Sequence, residues 1–161
     1  MLSVAIQEVL ERFRRGPELI AVAATGAAGP QLDYRPGPGK WSVREIVWHL
    51  AEAEMVGAMR LRQVIAEDNP TLQAYDQNAW TARLGYARRK FAPALELFRK
   101  VRGENYELLA GLPAEAFART GNHTEAGRVT LLDLVRGYAE HAENHSRQIR
   151  ETRQAYKVAA L

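Results

Sequence analysis

"WSVREIVWHLAEAEMVGAMRLRQVIAEDNP", residues 41–70, carries the strongest folding signal in the chain. Ser42 followed three residues later by Glu45 is a capping box, and an apolar-periodic run begins directly behind it. At about 100° per residue from Ile46, the positions Leu50, Ala53, Gly57, Leu61 and Val64 share one face, with His49 at the edge of that stripe. Asp68, Asn69 and Pro70 stop the run. A helix this long with one apolar face needs partners to cover it.

Three further blocks carry the same period. Residues 2–24 place Val9, Leu10, Phe13, Leu19, Ile20 and Val22 on a stripe, with Gly16-Pro17 predicting a kink or break in the middle. Residues 86–110 offer Phe91, Leu95, Phe98, Val101, Leu108 and Leu109 as core, and Gly111 and Pro113 end the block. The last block opens at Thr130, where Asp133 completes a second N-cap signal, and has Leu131, Leu134, Val135, Tyr138, Ala142 and Ile149 inward. A Pro/Gly-rich connection, "GAAGPQLDYRPGPGK", a short helix around "YDQNAW" and a polar loop, "RTGNHTEAGRV", join the blocks. Sustained apolar/polar alternation is missing, so the chain reads as all-α, an antiparallel four-helix bundle. Neither an internal repeat nor a low-complexity segment is visible.

The 161 residues make one domain, 1–161, with core enough to stand without a disulfide or structural metal. With no cysteine, the chain cannot hold a Cys-ligated zinc, an iron–sulfur cluster or a catalytic thiol, which leaves His, Asp and Glu as ligands. Basic residues number 22 against 19 acidic ones and are scattered among them, so no nucleic-acid partner is expected. Glu8 and Glu11 interrupt any signal-peptide core and no apolar run reaches membrane-span length, so the expected location is cytoplasmic, with no membrane contact.

Two of the four histidines, His141 and His145, stand four apart in the last block and therefore on one helix face. They are either ordinary helix residues or a two-imidazole claw. His49 lies at the same edge of the core on another helix, where a bundle can bring it to the pair, and three imidazoles with open positions is a catalytic rather than a structural pattern. A zincin needs Glu directly after the first His, where Ala142 stands, and a di-iron carboxylate site needs Glu three residues before a His, which none of the three has. Bis-His haem binding stays open on residue types but calls for ligands on opposite sides of the cofactor, unlike an i, i+4 pair.

"RPGPGKWSVREIVWHLAEAE" (35–54), "GRVTLLDLV" (127–135) and "AEHAENHSRQI" (139–149) together resemble the DinB/YfiT-like superfamily of metalloenzymes, in that family's order and spacing over nearly the whole chain. The resemblance implies a four-helix up-down-down-up bundle, in place of the simple up-and-down one, commonly a homodimer. It also implies that His49, His141 and His145 bind a divalent metal, zinc or nickel. For activity it implies a metal-dependent transferase that moves a low-molecular-weight thiol onto an electrophile; a non-catalytic metal- or small-molecule-binding bundle and a metal-dependent hydrolase remain open beside it. Three further residues are candidates near such a site: Glu52, one turn after His49; Asp76, in "YDQNAW"; and His123, in the loop before the last helix.

Overall fold

A computed structural model describes residues 1–161. In chain order its elements are α1 (Val4–Ala24), α2 (Pro30–Asp33), α3 (Val43–Ala66), β1 (Thr71–Leu72), α4 (Gln77–Arg83), α5 (Phe91–Ala110), β2 (Thr120–His123), β3 (Gly127–Thr130) and α6 (Leu131–Ala159), with 3₁₀ turns at Tyr86–Arg88 and Ala114–Ala118. Both expected capping boxes are formed. The Ser42 hydroxyl accepts from Glu45 N at the start of α3, and the Thr130 hydroxyl accepts from Asp133 N at the start of α6, each acid bonding back to the cap's own N–H.

Two halves of the core fix the helix directions. One half gathers Phe13 and its N-terminal neighbours on α1, Leu61 and Val64 near the end of α3, Leu109 at the end of α5, and Leu131 and Val135 at the start of α6. The other gathers Ile20 from late α1, Ile46 and Leu50 from early α3, Ala94 and Phe98 from early α5, and Ile149 from late α6. Helices α1 and α6 therefore run one way and α3 and α5 the other, which is the up-down-down-up order. No helix is long and apolar enough to cross a membrane.

The structure corrects the sequence reading for one side chain, Val22, which is 58% exposed and not on the inner stripe, and for the backbone in three places. Pro17 neither breaks nor ends α1, which continues to Ala24. A helical proline leaves the carbonyl four residues back without its donor, and here that carbonyl, Phe13 O, accepts from Arg102 Nη1 at 2.8 Å. Gly16 makes room for the same guanidinium, since a Cβ there would lie 2.5 Å from Arg102 Nη1. Second, the third block does not start as an α-helix at Tyr86: α5 begins at Phe91, placing Pro93 in the first turn, where its missing N–H costs nothing. Third, the polar loop is a hairpin, β2 antiparallel to β3, with β1 parallel to β2 on its other side. Gly121 permits that docking, because a Cβ would meet Val64 at 3.0 Å and Leu72 at 3.1 Å. The ribbon is small, and the bundle remains all-α in its core.

The centre of the bundle is polar. Arg102 and Glu54, 1% and 2% exposed, form a two-pronged ion pair through Nε and Nη2 at 2.8 Å each. Arg102 also donates to Phe13 O and Tyr138 O, while Asn105 Nδ2 donates to Glu54. One buried guanidinium thus ties α1, α3, α5 and α6 together. These residues were absent from the apolar core expected of α5, in which Phe98 and Leu109 are buried as foreseen.

Candidate metal centre

His49 comes from the second turn of α3 and His141 and His145 from successive turns of α6, and the antiparallel run of these helices sets the three rings at one level. His49 Nε2 lies 2.9 Å from His141 Nε2, which lies 3.0 Å from His145 Nε2. The rings meet edge to face, with centroids 4.5 to 5.0 Å apart. Trp41 covers them from one side, its ring stacked near-parallel to His145 and tilted at 4.8 Å against His49. His49 is the most enclosed of the three, at 1% exposure, because Trp41 and the core around early α3 surround it.

The cluster is short of protons. Gln148 Oε1 accepts from His145 Nδ1–H at 2.7 Å, so the neutral ring carries its lone pair on Nε2. His141 must then be the donor to His145, and its single Nε2–H also serves His49. Three nitrogens facing one point share one proton. A divalent cation at that point takes all three lone pairs, and zinc with nitrogens at about 2.0–2.1 Å in a tetrahedron sets them roughly 3.3 Å apart. Two of the spacings need to open only slightly and all three nitrogens lie within 4.8 Å of one another, so the donor set fits a metal, with Gln148 orienting one ligand from outside.

Burial, followed by the nearby His145 charge, pushes His49 down to about 3, and burial with the same neighbour pushes His141 down to about 2. Both are neutral at pH 7 and ready to ligate. In the unfolded chain they titrate near 6.5, so below that pH the unfolded state binds protons that the metal-free folded state refuses. Stability present above pH 6.5 is therefore lost as the pH falls from 6.5 towards 3. With the full slope of about 1.4 kcal/mol per unit for each group reached only below the unfolded pKa, the metal-free fold should weaken by about 3 kcal/mol between pH 6.5 and 5. Urea titrations at several pH values check this, and His49→Gln should flatten the dependence; equal slopes for wild type and variant would contradict it.

A cavity of about 240 Å³ reaches this cluster at His141 and is lined also by Arg60, Tyr75, His123, Leu134 and Tyr138. Tyr138 crosses to the space left by Gly57, where a Cβ would come within 2.7 Å of its ring. The ribbon brings His123 here: it is the last residue of β2, not a free loop residue, and its Nδ1 accepts from Glu125 N and Ala126 N. Glu52 and Asp76 are placed elsewhere. Glu52 is held by Arg89 at 2.6 Å, under a guanidinium stacked 3.4 Å above Trp48, and Asp76 caps α4 by accepting from Ala79 N. Sequence reasoning missed Gln148 and Arg60. Gln148 follows His145 by three residues on the same face. Arg60 falls roughly 40° from Ile46 around α3, between His49 and Ala53, so a basic residue on the inner face was the available signal.

A bundle of this topology with three imidazoles converging across α3 and α6 defines a class, the bundle proteins with a histidine site capable of holding a metal. Residues 12–149 match the DinB superfamily, and the chain belongs to that family. It is 27% identical over 143 residues, 89% of this chain and 83% of the other, to a protein of Oceanobacillus iheyensis provisionally named a metal-dependent hydrolase. A Bacillus cereus protein with the same provisional name is 28% identical over 153 residues, covering 95% of this chain and 86% of its own. Among solved structures, YfiT from Bacillus subtilis, described as a probable metal-dependent hydrolase with an unusual four-helix bundle topology, superimposes with a TM-score of 0.87 at 25% identity, over 94% of this chain and 88% of YfiT.

Proposed function

We propose that His49, His141 and His145 hold one divalent ion, zinc or nickel, and that the protein is a metal-dependent hydrolase. The observation that carries this is the convergence of three Nε2 atoms with too few protons to satisfy one another. The names of its relatives point the same way. When bound, such an ion supplies Lewis acidity, polarising a carbonyl and making water acidic enough to attack at neutral pH. The chain's own residues do the rest. Gln148 fixes the His145 tautomer, Trp41 shields one side of the cluster, and the cavity at His141 leaves the other side open to substrate. Tyr75, pushed up to about 12 by burial, and Tyr138, raised for the same first reason, keep their Oη protons and serve as donors along that cavity.

A second reading, thiol S-transfer on the same ion, is favoured by the absence of any cysteine, which leaves the attacking sulfur to a substrate. Protein purified without an affinity tag should contain close to one equivalent of metal and hydrolyse short acyl esters or amides without added thiol. Chelation should abolish turnover, and zinc or nickel should restore it. Turnover that requires both a low-molecular-weight thiol and an electrophile selects the transferase. Full metal occupancy with neither reaction would identify a binding protein and overturn both.

A further inference from the structure

Arg60 is placed unlike the other partly covered arginines that face acids. Arg12, Arg35, Arg44, Arg89 and Arg102 each bond a carboxylate, at 2.5 to 2.8 Å. Arg60 forms no ion pair. Its Nη1 donates to Tyr138 Oη at 3.3 Å and its Nη2 to Gln73 O at 2.6 Å, and its Nε is the one buried side-chain polar atom of the chain without a hydrogen-bond partner. A covered guanidinium that is only partly satisfied is an unfavourable arrangement unless something else completes it.

What surrounds it is the cavity that ends at His141. His123 lines the same space, and because its Nδ1 already accepts two backbone N–H groups, its neutral ring carries the proton on Nε2 as a donor. Desolvation and then the Arg60 charge hold His123 below its ordinary value, so it stays neutral and Arg60 is the cation of the pair. The acid in the lining, Asp133, is already committed to Thr130 and Arg136. Gln77 adds a neutral amide to the lining, and the rest of the wall is small and apolar, with Ala53, Val129 and Leu134. One cation with neutral donors suits a monoanion, and a planar guanidinium suits a carboxylate.

We infer that this cavity binds a short aliphatic substrate bearing a carboxylate, with the carboxylate on Arg60 and His123 and the reacting end towards the three histidines. The orientation rests on the metal reading above; the anion subsite does not. It gives the protein a substrate class, small acyl compounds with a free carboxylate, and makes Arg60 a specificity-determining residue.

The test is binding of butyrate and of its uncharged isostere butyramide to the full-length chain, followed by amide chemical shifts, with the metal-loaded and the chelated protein compared. Butyrate should bind in preference to butyramide in both forms, perturbing residues on α3 and β2–β3. Arg60→Gln should weaken butyrate by about tenfold or more while leaving butyramide unchanged, and Arg60→Lys should recover part of the loss. His123→Gln, which keeps an N–H donor but alters its position, should give a smaller loss, and it carries the test if Arg60→Gln does not fold. Equal affinity for butyrate in wild type and both variants, or binding that vanishes on chelation, overturns the subsite. Absence of metal from the three histidines overturns the metal reading instead, and leaves the dependence on Arg60 standing.

Discussion

Replacing His141 by Ala should abolish binding of the ion proposed for the histidine cluster. Its Nε2 stands between the other two, 2.9 Å from His49 and 3.0 Å from His145, so its loss removes the shared vertex of the site and leaves imidazoles from two different helices. His145→Ala should have an effect of the same order. Gln148→Ala, which removes only the group orienting His145, should weaken binding by about 10- to 100-fold, the range expected for an outer partner of a ligand. His123→Ala should leave the ion in place, since its Nδ1 is spent on the hairpin backbone. Metal content and competition with a chromophoric chelator distinguish these cases. A full equivalent retained by His141→Ala alongside loss in His123→Ala would show the ligand set to be wrong.

Arg102→Ala should be the most destabilising single change in the bundle, by about 3–5 kcal/mol, the usual cost of removing one partner of a buried pair. The reason is what it leaves behind. Glu54 keeps a buried charge with only Asn105 beside it, and Phe13 O loses the donor that replaces the N–H missing from Pro17. Glu54→Ala should cost a similar amount, and the double variant Arg102→Met/Glu54→Leu clearly less than the sum, because it strands no charge. Urea unfolding with an unchanged m-value checks this. A loss below about 1 kcal/mol for Arg102→Ala would mean that the pair contributes little beyond filling space.

The burial of this pair depends on residues far apart in the chain. On α5 the periodicity of Phe98 and Leu109 locates the inner face, but Arg102 and Asn105 lie on that same face, and an arginine within a stripe is ordinarily read as an edge residue that reaches for solvent. Its burial depends on Glu54, 48 residues earlier, and on a carbonyl freed by a proline 85 residues earlier. The Gly16-Pro17 pair looks like a break for a similar reason, since nothing nearby reveals that a guanidinium will dock there.

Much of the site was legible. The spacing of His141 and His145 puts them on one face of any helix, and the Ser42 and Thr130 caps set the phase of α3 and α6, so that the three histidines could be named before any coordinates were known. Which ring nitrogens converge, that His49 is the most enclosed, and that Trp41 covers the cluster could not be.

The existence of four long helices, the capping boxes of α3 and α6, most of the apolar core positions and the absence of sulfur ligands could be read from the sequence, because each depends on residues within a few positions of one another or on composition alone. That Arg102 closes the gap left by Pro17, that a small ribbon delivers His123 to the cavity, and that Arg60 faces the same cavity without an ion pair emerge only in three dimensions. These outcomes join residues far apart in the chain. Their energy comes from desolvation and from satisfying buried polar groups, and both exist only once the helices have packed.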